Sequence, residues 1–134
     1  MPFVVDASLA LAWFFEDEAT PRTNALLERV QDEAPVVPAL WRAEMLNAFR
    51  SAVLRKRISK DVARAHGERV LRFAFEFDDA GRDELRDAFR LALEQRVSVY
   101  DALYLELCGR SGLGLATNDR GLGRVATRLG IEVL

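Results

Sequence analysis

Short apolar runs alternate with longer segments of helical periodicity along the whole chain. Residues 3–6 and 113–117 are continuous apolar runs that end in polar residues, which is typical of buried parallel strands. The stretch 34–38 is short and bounded by prolines, which favours a brief edge-like strand. Phenylalanine alternates with other residues over 73–77, a period-two pattern that predicts another strand, and residues 131–134 form a further short strand.

Helices are predicted between these strands because apolar side chains recur there at steps of three and four residues. The predicted helices cover residues 9–15, 20–32, 39–57, 59–73 and 82–95, then a segment from 97 to the glycines near 109–112, and a last helix that stops at Gly130. Ser8 is available to cap the first helix, and we expect Ser59 to cap the fourth. The helix over 82–95 is expected to contribute to the core the side chains of Leu85, Phe89, Leu91 and Leu93.

Strands that alternate with helices predict an α/β fold in which a mainly parallel sheet of four to five short strands is covered on both faces. The 134 residues fit a single domain, long enough to bury a sizeable core. The sequence shows no internal repeat, low-complexity tract or linker.

Composition removes several classes of function. The net charge of -2 gives no overall basic field for nucleic acid, and the single His66 cannot form a histidine-rich metal site. One cysteine allows no internal disulfide, which favours a reducing cytoplasm. The first residues lack the basic region of a signal peptide, and no apolar run approaches a membrane span of roughly 18 residues. Any catalysis must therefore rest on carboxylates, hydroxyls, amides and arginines.

Four acids occur at the ends of apolar elements. Asp6 and Asp119 follow two predicted strands, and Glu44 and Asp101 lie on helices that can approach the same edge of a sheet. Taken singly, Asp101 is explained as a first-turn residue favoured by the helix dipole and Glu44 as a surface residue. If they converge, two such charges about 4 Å apart repel by roughly 4 kcal/mol at an effective dielectric near 20. Such a cluster takes up protons or binds a hard cation such as Mg²⁺ or Mn²⁺.

Four motifs in this order resemble those of the PIN-domain nucleases, and their wording is closest to the VapC toxins of prokaryotic toxin–antitoxin pairs. The motifs are FVVDASLALAWFF at 3–15, WRAEMLN at 41–47, SVYDALYLEL at 98–107 and LATND at 115–119. The resemblance covers nearly the whole chain. It implies an α/β/α sandwich, Mg²⁺- or Mn²⁺-dependent cleavage of RNA in the cytoplasm of a prokaryote, and inhibition by a VapB-like antitoxin.

Carried over by position, the resemblance places the family's acids on Asp6, Glu44, Asp101 and Asp119. We expect Asp6 and Asp101 to be the principal ligands of one or two divalent ions that orient a water for attack on a phosphodiester. Glu44 and Asp119 would complete the ligand set directly or through water, and one of them would help to deprotonate the nucleophile. The family's two small hydroxyl residues fall on Ser8 and Thr117, which would orient the ligands. Capping a helix is an equally good explanation of Ser8.

Other side chains are candidates for contacts with partners. Arg42, Arg120 and Arg124 lie near the expected rim of the site and are candidates for phosphate contacts, although each is also explained as a solvated arginine. The aromatic residues Trp13, Phe14, Phe15 and Trp41 are candidates for a groove that binds an antitoxin helix or for the interface of an expected homodimer, with core packing as the alternative.

Two other acid-based families fit less well. A phosphotransfer receiver needs a lysine after a late strand, and a haloacid-dehalogenase phosphatase needs a second aspartate where Ser8 stands. The serious alternative is a catalytically inactive PIN-like module that regulates through complexes with protein or RNA. The presence of all four acids argues for the nuclease.

Overall fold

Four short strands form one sheet in the structure, a computed structural model that describes residues 1–134. The strands are β1 (Val4–Val5), β2 (Val36–Pro38), β3 (Glu76–Asp78) and β4 (Leu115–Ala116). All neighbouring pairs are parallel, and the spatial order is β3-β2-β1-β4. The fold class expected from the sequence, α/β with a short parallel sheet, is confirmed.

Seven α-helices lie between and after the strands. They are α1 (Ala7–Ala10), α2 (Pro21–Arg29), α3 (Trp41–Leu54), α4 (Lys60–Leu71), α5 (Arg82–Gln95), α6 (Val99–Ser111) and α7 (Arg120–Arg128). Two short 3₁₀ turns, Leu11–Trp13 and Glu16–Glu18, follow α1. None of these helices is long and apolar enough to cross a lipid bilayer.

The chain divides into two compact units, one of Met1–Ala39 with Phe75–Leu134 and one of Leu40–Ala74. The first unit contains the sheet. Its central helix is α6, which packs on β1, β2 and β4 and against α5. All seven residues from Ala102 to Cys108 are buried, so this helix shows no polar face over that length. Tyr100, in the first turn of this helix, is 65% exposed.

The second unit is a hairpin of α3 and α4. Ser59 caps α4 as predicted, because its side chain accepts from the backbone N–H of Val62. The two helices pack closely at Gly67, where a Cβ atom would come within 3.2 Å of the Leu46 side chain. The Phe49 and His66 rings lie 5.3 Å apart between their centroids, and burial lowers the pKa of His66.

Three predicted elements differ from those observed. The proline-bounded strand at 34–38 is not an edge strand, because β2 pairs with β1 on one side and β3 on the other. The prolines are tolerated there because Pro35 contributes only its carbonyl oxygen, which accepts from Glu76, and Pro38 ends the strand. In the segment with alternating phenylalanines, the strand begins only at Glu76. Residues 131–134 do not form a strand, and Val133 makes a single parallel bridge with Leu115.

Candidate functional site

Strand β1 lies between β2 and β4, which the chain adds on opposite sides of it. From β1 the chain continues to β2 and β3 on one side, and it later returns to add β4 on the other side. The gap between the carboxyl ends of β1 and β4 is therefore the topological switch point, where open α/β sheets bind their ligands. Asp6 follows β1 and donates its backbone N–H to Ala116 in β4.

The Asp6 carboxylate is 5% exposed and has hydrogen-bond partners on both oxygens. Its Oδ1 accepts from the backbone N–H of Leu9 at 2.9 Å and from the Ser8 hydroxyl at 2.7 Å. Asp6 is thus the N-cap of α1, and of the two explanations left open for Ser8, helix capping is wrong. The aspartate takes that position because it directly follows β1 in extended backbone, so its carboxylate reaches the first free N–H groups of the helix.

Two hydroxyl groups connect the loop after β1 with the loop after β4. The Thr117 hydroxyl donates to Asp6 Oδ2 at 2.5 Å and accepts from the backbone N–H of Asp119 at 3.0 Å. The Ser8 hydroxyl accepts from the backbone N–H of Asn118 at 2.9 Å and lies 3.2 Å from the Thr117 hydroxyl. These bonds hold Asp6 and the start of α7 in a fixed relation, although the residues are more than a hundred positions apart in sequence.

Asp101 and Asp119 lie at the first turns of α6 and α7. The backbone N–H of Asp101 donates to Ser98, the N-cap of α6. Asp119 is itself the N-cap of α7, and its Oδ1 accepts from the backbone N–H of Leu122 at 3.0 Å. Both carboxylates therefore sit beside positive ends of helix dipoles, a favourable position for negative charge.

Three of the four predicted acids interact electrostatically. Burial raises the pKa of Asp6, while hydrogen bonds from Thr117, Leu9 and Ser8 oppose that rise and the charge of Asp101 adds to it. Half-burial raises the pKa of Asp101, and the charge of Asp119 raises it further, against a hydrogen bond with Ser98. Asp6, Asp101 and Asp119 therefore form a chain of mutually repelling carboxylates at the switch point.

A cation at this place would relieve the repulsion, and oxygen donors without histidine or cysteine are the set that Mg²⁺ and Mn²⁺ prefer. In the conformation of the structure, no group of three or more acidic, histidine or cysteine side chains is arranged to hold a metal ion. The chemistry of the donors thus fits a divalent cation, whereas a closed set of ligands is not assembled.

A model of the PIN domain matches residues 3–128. The chain belongs to the PIN-domain family. It is 31% identical over 127 residues to Ribonuclease VapC3 of Pyrobaculum aerophilum, and the match covers 91% of this chain and 92% of that protein. Among PIN-domain proteins it is thus of the VapC type, as the four motifs indicate.

Solved structures have the same PIN fold. The crystal structure of PAE2754 from Pyrobaculum aerophilum matches with a TM-score of 0.74 at 26% identity, covering 99% of this chain and 83% of that one. VapC20 from Mycobacterium tuberculosis, a toxin that cleaves the sarcin-ricin loop, matches with a TM-score of 0.64 over 91% of this chain and 93% of its own. At 15% identity the second likeness shows the fold alone.

The fourth predicted acid of this PIN chain belongs to the helical hairpin. Glu44 is half-buried in the first turn of α3, in the unit Leu40–Ala74. Arg42, one of the expected phosphate contacts, is exposed in the same turn. The switch point at β1 and β4 is assembled within the other unit, so the role of Glu44 as a ligand stays a prediction.

The four aromatic candidates for partner contacts are buried in this PIN domain chain. None of Trp13, Phe14, Phe15 and Trp41 exceeds 9% exposure. The Trp13 indole N–H donates to the backbone carbonyl of Thr23 at 2.9 Å, and the Trp41 ring packs edge-to-face on Phe73. Core packing, the alternative that the sequence left open, describes all four in this structure.

Sequence reasoning missed Arg22, which holds the loop after β4 in place. Its guanidinium donates to the backbone carbonyl of Thr117 at 2.8 Å and to Asn118 Oδ1 at 2.9 Å. It also donates through Nε to the carbonyl of Leu134 at 2.8 Å. No local pattern could have found it, since Arg22 follows a predicted helix start and its partners lie 95 or more positions away.

Proposed function

We propose that this chain is a divalent-metal-dependent endoribonuclease and the toxin of a toxin–antitoxin pair. The observation that carries the proposal is the row of repelling carboxylates, Asp6, Asp101 and Asp119, at the topological switch point. The match to a protein named Ribonuclease VapC3 over nearly the full length of both chains supports it. The family model spans both structural units, which supports one PIN domain over residues 1–134.

Asp6 and Asp101 would hold a Mg²⁺ or Mn²⁺ ion, with Glu44 and Asp119 completing the ligand set. When bound, the ion would supply the Lewis acidity that activates a water and neutralises charge on the phosphodiester. The residues of the chain contribute orientation, since Ser8 and Thr117 fix both oxygens of Asp6 through direct hydrogen bonds. One of the two acids that complete the ligand set, Glu44 or Asp119, would help to take the proton from the attacking water.

As a VapC-type toxin, the protein would be inhibited by a VapB-like antitoxin and would act as a homodimer. A row of apolar side chains on α5 supports the homodimer: Leu85, Phe89 and Leu93 are 45%, 56% and 67% exposed at steps of four residues. A second copy offers the same row, so an isologous contact would cover both rows at once.

The deciding experiment is cleavage of a mixed RNA pool by the purified protein in EDTA, Mg²⁺ or Mn²⁺. We expect cutting only with a metal ion, and Asp101→Asn should lower the rate by on the order of a hundredfold or more. Asp83→Asn is the matched control, since Asp83 also lies in the first turn of a helix but is exposed and paired with Arg86. It should cut at the wild-type rate.

Two outcomes would contradict the proposal. A folded Asp101→Asn variant that cuts as fast as the Asp83→Asn control would remove the carboxylates from the mechanism. A folded wild-type protein that cuts neither transfer, ribosomal nor messenger RNA with either metal ion would instead favour the non-catalytic binding module.

A further inference from the structure

The three arginines of α7 have no acidic partners, unlike several arginines on α4, α5 and α6. Arg64 on α4, Arg86 and Arg90 on α5, and Arg110 on α6 each pair with an acid one turn away. The sequence of α7, RGLGRVATR, contains no acid, and its three arginines form no ion pair within the chain. Positive charge is therefore left available on this helix of a protein whose net charge is -2.

These three arginines share one groove. Arg120, Arg124 and Arg128 are spaced by four residues and line a groove of about 520 Å³ together with Gly123, Thr127 and Val133. The opposite face of α7 is buried through Leu122, Val125 and Ala126. Gly123 adds no side chain to the groove, and a Cβ atom there would meet Thr117 Cγ2 at 3.8 Å and Val133 Cγ1 at 3.9 Å, both ordinary contacts.

The groove adjoins a cleft that contains one of the proposed acids, Asp119. A second cleft, of about 390 Å³, is lined by Arg22, Thr117, Asn118 and Asp119, and it shares Arg120, Gly123 and Val133 with the groove. One continuous depression therefore runs from the loop after β4 along the exposed face of α7. The guanidinium of Arg22 adds a further positive charge near its start.

We propose that this groove, which we call the α7 groove, binds the single-stranded RNA segment that flanks the bond to be cut. Arginines four residues apart are separated by about 6 Å along a helix axis, a step comparable to the distance between successive phosphates of an extended strand. Their planar guanidinium groups match phosphate oxygens. The floor of Gly123, Thr127 and Val133 offers an apolar surface to a ribose or a base.

Single-stranded RNA fits this surface better than an acidic peptide does, because the groove adjoins the cleft that contains Asp119, one of the acids of the proposed nuclease site. The naming of RNA as the ligand rests on the proposed nuclease function. The sequence already predicts that Arg120 and Arg124 contact phosphate. The structure adds Arg128, the apolar floor of the groove and a path for the RNA strand along α7.

The test measures binding of a fluorescent 12-nucleotide oligouridylate by anisotropy in EDTA, where no cutting is expected. Arg124→Gln combined with Arg128→Gln should weaken binding by about tenfold and reduce the slope of log K against log salt by roughly 1.4, about 0.7 for each lost phosphate contact. The matched control is Arg64→Gln with Arg86→Gln, which removes the same charge from α4 and α5 and should leave affinity nearly unchanged. Circular dichroism checks that each variant is folded.

A charge-neutral variant separates the groove from general electrostatics. Gly123→Leu fills the floor without removing an arginine, and we expect it to weaken binding several-fold while α7 remains helical. Equal losses in the arginine pair and its control, no effect of Gly123→Leu, or stronger binding of polyglutamate than of oligouridylate would each overturn the α7 groove. Cleavage is measured separately in the presence of metal, so a negative result for RNA binding in the α7 groove would not by itself contradict the proposed nuclease function.

Discussion

Thr117 is the residue on which the geometry of the acidic site most depends. Its hydroxyl donates to Asp6 and accepts from the backbone of Asp119, and its side chain is 4% exposed, so water cannot readily replace either bond. The hydrophobic pattern marks this position only as the polar end of an apolar run, and it is the resemblance to the PIN motifs that predicts a ligand-orienting hydroxyl there. Asp119 is a local partner, two residues away, whereas Asp6 follows β1, which meets β4 only in the folded sheet.

Thr117→Val should therefore destabilise the protein although it preserves shape. We expect a loss of about 1–3 kcal/mol in the free energy of unfolding, because a buried carboxylate oxygen of Asp6 loses its partner, and the partly buried N–H of Asp119 loses one as well. Urea denaturation monitored by circular dichroism measures this. Thr117→Ser keeps the hydroxyl and should lose clearly less; an equal loss in both variants would show that the methyl group, not the hydroxyl, matters.

At the scale of elements, α5 is where periodicity and packing disagree. The sequence assigned Leu85, Phe89, Leu91 and Leu93 to the core, but the first, second and fourth are exposed and Leu91 is only partly buried. The buried residues are Ala88 and Ala92, on the side that packs closely against α6. Small side chains allow the two helices to approach, so the larger ones are left on the outer face.

This exposed row predicts the oligomeric state. Phe89→Ser combined with Leu93→Ser should convert a homodimer into a monomer without loss of helix content, since both side chains already face solvent in the single chain. Sedimentation equilibrium gives the molar mass. Leu54→Ser, at a leucine that is 64% exposed at the end of α3, is the control and should remain dimeric. A wild-type protein that is monomeric at all concentrations would rule out this interface.

For the molecule as a whole, the carboxylates of the acidic site make the stability of the fold depend on pH. Asp6 and Asp101 have raised pKa values in the folded state, so each prefers its protonated form there more strongly than in the unfolded chain. Their contributions to stability are therefore most favourable at low pH, below the ordinary aspartate pKa. They become unfavourable as pH rises through the raised pKa of each group.

Asp101→Asn should make this visible in the melting temperature. In EDTA the variant and the wild type should have the same melting temperature at low pH. As pH rises, the melting temperature of the variant should exceed that of the wild type by a growing margin, on the order of a few degrees near neutrality. Added Mn²⁺ should raise the melting temperature of the wild type but have little effect on the variant, because an ion that binds only the folded state stabilises it. A pH-independent difference between the two proteins would contradict this account.

Local patterns were sufficient for the class of fold, for the helix starting after Ser59, and for the placement of Asp6 and Asp119 at strand ends. These features depend on neighbours within a few residues, so the order of apolar and polar residues encodes them. The sequence also predicted in outline that the acids meet at one edge of the sheet, because strands that alternate with helices form parallel sheets whose carboxyl ends lie at the same edge.

Tertiary structure alone decided the hydrogen bonds of Arg22 to the loop after β4, the burial of Trp13–Phe15 and the exposure of the α5 row. Each depends on contacts between residues far apart in sequence or on which of two apolar faces finds a packing partner. A single sequence specifies that a side chain is apolar or charged, but the surface it meets is created only when β4 returns beside β1 and α5 packs on α6.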